Sequence, residues 1–190
     1  MIEISKKIFY SLWIGVILIM ILLYLQNPEI ITPNYIVEFI SSYNNEIMLV
    51  YILISMVRGL FLIPSTPFVI VGGILFPDKL LLVLFLSMLG VMFSAVLLYY
   101  FSDILSFSNY FEKTNSKITK TWKARLQSKK STYYVLAWSF LPIVPTDLIC
   151  YLAGIVKMPF KNMLFGVFFG ELILDIFYIY FGNSLFYSFL

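Results

Sequence analysis

Two prolines interrupt an apolar run about one third of the way along the chain. Arg58, Pro64, Pro67, Gly72 and Gly73 all lie within this one run. Each proline removes a backbone donor and disfavours the α conformation in the residue before it. Inside a bilayer, broken helical backbone is tolerated only where protein or a water-filled cavity surrounds it. The run therefore predicts a helix that enters a bilayer, turns at the prolines and leaves again.

A second stretch of the same kind follows later in the chain. Pro142 and Pro145 interrupt another apolar run, Thr146 and Asp147 come directly after them, and Gly154 lies further on. The first prolines of the two stretches are 78 residues apart. We interpret the two stretches as a matched pair of broken hairpins.

The composition excludes a soluble domain. Hydrophobic residues make up 61% of the 190 residues, and charged residues only 12%, against about 25% in a soluble domain. The chain has no histidine, which removes the commonest metal ligand, and its single cysteine, Cys150, excludes an internal disulfide. We expect one integral membrane domain with no cofactor, no metal ion and no nucleic-acid partner.

Charge asymmetry predicts the orientation of the first segment. Lys6 and Lys7 precede the apolar run 8–25, which is long enough to cross a bilayer and lacks a signal-peptide cleavage site. The following segment, 26–46, carries three glutamates and no lysine or arginine. The positive-inside rule therefore places the N-terminus in the cytoplasm and this segment outside.

The later charges agree with the hairpin interpretation. Segment 102–131 holds seven of the 13 basic residues and is expected in the cytoplasm. It arrives there only if 47–76 is re-entrant, because a single crossing would leave it outside. By the same logic, 133–156 is re-entrant from the cytoplasmic side.

The predicted fold is an all-α, polytopic membrane protein with two opposed re-entrant hairpins in an inverted repeat, which meet near the midplane. Residues 1–46 are predicted to form the first helix with its external loop, residues 47–182 a membrane domain, and residues 183–190 a C-terminal tail. The membrane domain is predicted to consist, in order, of hairpin 47–77, helix 79–101, cytoplasmic basic loop 102–131, hairpin 133–156 and helix 160–182.

The basic loop also carries an apolar pattern. Phe111, Ile118, Trp122 and Leu126 recur at spacings of seven, four and four, with lysines between them. This spacing is typical of a basic amphipathic helix on the cytoplasmic leaflet. A solvated linker is the alternative interpretation.

Four ionisable residues lie within apolar segments: Arg58, Asp147, Glu171 and Asp175. Such residues are costly in a membrane and usually face a cavity or a partner. Glu171 and Asp175 are four residues apart and share a helix face, so their mutual repulsion in low dielectric favours a proton on one of them. We predict that the three carboxylates couple protons to transport. The alternative is that one of them pairs with Arg58 as a buried ion pair, which would give it a structural role.

Small residues predict close packing. Gly166 and Gly170 form a small-xxx-small pattern, which is typical of a helix contact. Gly72, Gly73 and Gly154 are expected to let the return arms of the hairpins approach their neighbours or turn.

The two proline motifs with their following glycines resemble the DedA superfamily, whose members are also called VTT-domain or SNARE-associated membrane proteins. The paired-proline form is closer to the VTT branch. The resemblance implies opposed re-entrant hairpins and movement of lipids between leaflets: undecaprenyl phosphate or aminophospholipids in bacteria, phospholipid scrambling in eukaryotes. It implies that both motifs bind the substrate. The residues concerned are Arg58 and the first motif, Pro64, Ser65, Thr66 and Pro67, together with Pro142, Pro145 and Thr146 of the second motif.

The chain departs from the family at three places. Trp138, Ser139 and Phe140 stand where members often carry an arginine before the second proline pair. Pro145 stands where the DedA branch often carries an arginine, and Thr66 stands near an acidic position of that branch.

The predicted function is translocation of a phospholipid or polyprenyl phosphate between leaflets, with no catalytic residue. The expected partners are membrane lipids with an anionic headgroup, and a homodimer is left open. The expected location is the plasma membrane of a prokaryote. An intramembrane lipid-modifying enzyme and a structural or assembly protein are the alternatives.

Overall fold

The computed structural model describes residues 12, 15–16, 18–20, 22–104, 117–142 and 144–188. Within these residues, all regular secondary structure is helical. The described part of the predicted first helix, which ends at residue 25, is helical as well. Eight further α-helices follow: α1 Pro33–Ser41, α2 Ile47–Val57, α3 Thr66–Leu75, α4 Leu80–Ile104, α5 Lys117–Leu126, α6 Ser131–Ser139, α7 Thr146–Ile155 and α8 Phe160–Ser188.

Within the part of the chain that the structure describes, three helical segments are long and apolar enough to cross a membrane: Asn44–Phe61, Pro77–Ser102 and Phe160–Gly182. The prediction of an all-helical, polytopic membrane protein is thus confirmed. Helices α3, α6 and α7 have 10, 9 and 10 residues. At about 1.5 Å per residue, each reaches only about half of the hydrocarbon core.

Helices α2 and α3, the first helix pair, are separated by a break at the first proline motif, as predicted. Helix α2 tightens into a 3₁₀ turn at Arg58–Phe61, and Leu62 adopts the left-handed conformation, with φ 57°. The amide of Leu62 donates to the Gly59 carbonyl and that of Ile63 to the Arg58 carbonyl, which is the Schellman pattern of a helix end. Helix α3 then begins at Thr66, with a proline in its first turn.

Helices α6 and α7, the second helix pair, are also separated by a break. Helix α6 ends at Ser139, and α7 begins at Thr146 directly after Pro145. The intervening segment carries the second proline motif, in which Ile143 lies outside the described residues. Proline cannot donate a backbone hydrogen bond, so both breaks occur where the α-helical ladder would lose a donor.

The order short helix, short helix, long helix occurs twice. Helices α7 and α8 start 80 residues after α3 and α4. Equivalent contacts recur as well: Gly90 lies against Ser55, and Gly170 lies against Ser139. Helix α3 packs on α8, and α7 packs on α4, so each half contributes a short helix to the other half's long helix.

The two long helices run antiparallel through two hydrophobic cores. Gly73 approaches the Ile179 carbonyl near the end of α8, whereas Gly154 approaches the Tyr99 carbonyl near the end of α4. One core joins α1, α2 and α3 to the start of α4 and to the later part of α8, which contributes Ile179. The other core joins α5, α6 and α7 to the later part of α4, which contributes Leu98, and to the start of α8.

The five glycines singled out in the sequence are all buried in helix contacts. A methyl group added at Gly72 would overlap the Tyr51 side chain, and one added at Gly166 would overlap Val135. No described glycine has a positive φ. Close approach, rather than a turn of the backbone, is therefore what these glycines provide.

Helix α5 uses its apolar side inside the protein. Leu126 is buried in the second core, and the ring of Trp122 contacts Trp138 edge to face. Phe111 of the predicted pattern lies outside the described residues. The helix is therefore docked on the bundle, while Lys120 and Lys129 are exposed.

Two other segments are more helical than predicted. Segment 26–46, which was predicted to be an external loop, contains α1, whose Ile36 and Ile40 are buried in the first core. Helix α8 continues to Ser188 and takes in most of the predicted C-terminal tail, 183–190. In both cases, apolar residues lie on the helix beyond the boundaries that the sequence suggested.

Candidate functional site

Arg58 is buried at the break of the first helix pair. Its side chain is 4% exposed. Nη1 donates to the Ile63 carbonyl at 2.8 Å and to Oδ2 of Asp147 at 3.3 Å. Because the carbonyls at a helix end carry partial negative charge, the first bond also stabilises the break. The second bond joins the two helix pairs across 89 residues of sequence.

Asp147 lies in the first turn of α7 and is 5% exposed. A carboxylate is stabilised there by the partial positive charge of a helix N-terminus. A methyl group on Gly59 would come within 2.8 Å of Oδ1 of Asp147 and would overlap Ser94. The close approach of Arg58 and Asp147 thus depends on glycine next to the arginine.

Glu171 connects the two proline motifs. Ser65 donates its hydroxyl to Oε2 of Glu171 at 3.3 Å, and Thr146 donates its hydroxyl to Oε1. Glu171 lies on α8 and is 2% exposed. A single carboxylate on α8 is therefore hydrogen-bonded to both proline motifs.

A small cavity of about 10 Å³ lies between the motifs, which is room for about one water molecule. Both proline motifs and two residues of α8 enclose it. The lining residues are Pro64, Ser65, Thr66, Leu141, Pro142, Val144, Pro145, Thr146, Glu171 and Leu174.

Asp175 lies one helical turn beyond Glu171 and is 1% exposed. Its Oδ2 has no hydrogen-bond partner among the described residues. Nearby, the Tyr51 and Ser87 hydroxyls are bonded to each other at 2.9 Å. A buried carboxylate oxygen without a partner is costly unless the group carries a proton.

The structure therefore brings most of the predicted site together. Arg58, Asp147 and Glu171 lie where the two proline motifs meet. Pro67 does not line the cavity. The glycines at 72, 73 and 166 contact other helices.

Three site residues were not predicted. Gly59 permits the close approach of Arg58 and Asp147. Ser94 lies against Gly59 and donates its hydroxyl to the Met56 carbonyl at 3.2 Å. Trp138 donates its ring N–H to the Pro145 carbonyl at 3.3 Å and so supports the second motif. Ser87, Gly90 and Ser94 form a stripe of small residues on α4, and this stripe was the available signal for a close approach at Ser94.

The described residues hold no group of three or more histidine, cysteine or acidic side chains that could bind a metal ion. The site consists of one cation, three carboxylates and several hydroxyls. The guanidinium and the hydroxyls are hydrogen-bond donors of the kind that suit an anion, and carboxylates are groups of the kind that take up a proton.

Comparison with known families identifies the chain. The VTT domain matches residues 63–184, more than half of the chain. The match includes both proline motifs and begins just after Arg58. Searches of curated proteins and of solved structures found no match. The resemblance seen in the proline motifs is confirmed, and the chain belongs to the VTT-domain family, the family of DedA membrane proteins.

Proposed function

We propose that this protein moves a lipid with an anionic headgroup, a phospholipid or a polyprenyl phosphate, between the leaflets of its membrane. The observation that carries the proposal is the meeting of both proline motifs around Arg58, Asp147 and Glu171. Buried ionisable groups at a helix break in a membrane usually serve a substrate or ion path.

The broken pairs α2–α3 and α6–α7 are re-entrant from opposite faces, as two halves of an inverted repeat. The antiparallel long helices and the exchange of short helices between the halves support this arrangement. Inverted repeats with broken helices place the substrate site near the midplane, where each half can move against the other.

Arg58 binds the headgroup phosphate. A guanidinium presents its donors as a planar fork that suits phosphate. To do so, Arg58 releases Asp147, which pairs with it again after the lipid leaves. Asp147, Glu171 and Asp175 balance the charge and carry protons.

Transport is expected when the purified protein is reconstituted into vesicles. A fluorescent anionic phospholipid should exchange between leaflets, as measured by a membrane-impermeant quencher, and should remain chemically unchanged by mass spectrometry. A modified lipid would support an intramembrane enzyme. No exchange above that of protein-free vesicles would favour a structural role, to which the Arg58–Asp147 pair is also suited.

The proposed topology predicts which surface residues face the cytoplasm. Lys120, Lys161 and Glu38 are all exposed. Cysteines placed at 120 and 161 should react with an impermeant thiol reagent only from the cytoplasmic side, and a cysteine at 38 only from outside. Labelling of position 120 from outside would contradict re-entrance of the first pair.

Proton coupling predicts altered pH dependence in two variants. Glu171→Gln and Asp175→Asn each remove a buried proton-binding group. Each is expected to flatten the dependence of the transport rate on pH, measured in vesicles between about pH 5 and 8. The exposed Glu46→Gln serves as the control and should keep the wild-type profile. Wild-type profiles in both buried variants would exclude these carboxylates from coupling.

A further inference from the structure

The Glu171 carboxylate occupies a place that is built for an anion. Ser65 precedes α3 and Thr146 begins α7, and each hydroxyl binds one oxygen of the carboxylate. Both helices have 10 residues, and neither has a side-chain cap. Pro67 has no amide, and the Phe68 and Leu148 amides are bonded to the Ser65 and Pro145 carbonyls, so the two hydroxyls are the donors that bind the carboxylate.

The bound carboxylate is the observation that marks this place as an oxyanion site. Two hydroxyls that are 81 residues apart in the sequence converge on one buried acid. Arg58 is bonded to Asp147, the residue directly after Thr146, so its guanidinium lies beside the site. Both bonds of Arg58 use Nη1, and Nη2 makes none among the described residues. A second anion donor is thus close to the site.

The site is closed to a ligand while Glu171 is in it. The adjoining cavity of about 10 Å³ holds about one water molecule, which is less than a phosphate group needs. A phosphate can therefore reach the two hydroxyls only if the Glu171 side chain moves away.

We propose that Glu171 is an internal competitor for this oxyanion site and that the phosphate group of a ligand binds Ser65 and Thr146 after displacing it. The inference deepens the proposed function, on which it rests for the lipid as the source of the phosphate. In this arrangement, entry of the headgroup and release of Glu171 are one exchange. The tips of the two helix pairs are then held by the ligand instead of by α8.

The test measures binding to the purified full chain in nonionic detergent. Trp138 contacts the second motif, so tryptophan fluorescence reports on the site. The probes are dihexanoyl phosphatidylglycerol, inorganic phosphate and, as the zwitterionic control, dihexanoyl phosphatidylcholine. Binding of both anionic probes would show that phosphate alone suffices, and binding of phosphatidylglycerol alone would identify the lipid as the source. Either result supports the site only with the variant pattern described next.

Glu171→Gln removes the competing charge and is expected to raise the affinity for phosphatidylglycerol about tenfold. Asp175→Asn changes a buried carboxyl group one turn away that makes no described bond to Ser65 or Thr146, and it is expected to change the affinity by less than about threefold. Adding Thr146→Val to Glu171→Gln should abolish the gain. Equal gains in the Glu171 and Asp175 variants, or none in either, would overturn the proposal.

Glu171→Asp decides the matter if the glutamine variant does not fold. It keeps the charge but shortens the side chain by one methylene, so it cannot reach both hydroxyls equally. We expect a gain of about threefold or more; unchanged affinity would overturn the proposal. A gain without leaflet exchange would retain this site and remove the transport function, whereas exchange without a gain would do the reverse.

Discussion

Arg58→Ala is expected to lower the free energy of unfolding by about 3–5 kcal/mol. The variant leaves Asp147 buried and without its partner, since Arg58 is the described side chain that pairs with it. It also removes the donor to the Ile63 carbonyl at the helix break. Unfolding of the purified protein by a denaturing detergent measures the loss.

A second substitution distinguishes the causes of this loss. Asp147→Asn in the Arg58→Ala background should recover most of the stability, because no uncompensated charge remains buried. Asp175→Asn in the same background should not, because Asp175 makes no described bond to Arg58. Equal rescue by both would show that the loss arises from net charge rather than from this pair.

Arg58→Lys separates stability from transport. It keeps the charge beside Asp147 but loses the planar fork. The variant should fold and lose most of the lipid exchange if Arg58 binds a phosphate. Normal exchange in a folded Arg58→Lys would favour a structural role, and a folded, fully active Arg58→Ala would contradict both roles.

Gly154→Ala is expected to destabilise the protein by about 2–3 kcal/mol. The added methyl would overlap the Tyr99 carbonyl and the Ser102 hydroxyl on α4. A backbone carbonyl inside a helix cannot move aside as the end of a flexible side chain can. This penalty exceeds the roughly 1 kcal/mol that alanine gains over glycine within a helix.

Gly15→Ala is the matched control. A methyl at Gly15 meets nothing within 4 Å. The variant should therefore be as stable as wild type or up to about 1 kcal/mol more stable. If Gly154→Ala matched it in detergent unfolding, the contact between α7 and α4 would be looser than described.

The breaks and the long helices could be predicted because each has a local cause. Pro64 and Pro142 act through the loss of a donor and a steric clash, which need no tertiary information. The apolar run of α4 exceeds bilayer thickness by composition alone. The sequence signal for a helix at 117–126 was weaker, because this helix is stabilised by the burial of Leu126 and Trp122 against the bundle.

The partners within the site could not be predicted. Periodicity places Glu171 and Asp175 on one face of α8, but it does not say which of them meets the proline motifs. That depends on how α8 is rotated and how far it is shifted along its axis, which the contacts of Gly170 and Gly166 fix. The choice of Asp147 as partner of Arg58 likewise needs the approach that Gly59 allows.

The pairing of Arg58 with Asp147 has a consequence for biogenesis. The two residues are 89 positions apart, so at about 5–20 residues per second the arginine leaves the ribosome on the order of 5–20 s before its partner. A guanidinium does not give up its proton during that interval. The first helix pair is therefore synthesised with a fixed positive charge before the carboxylate that pairs with it exists.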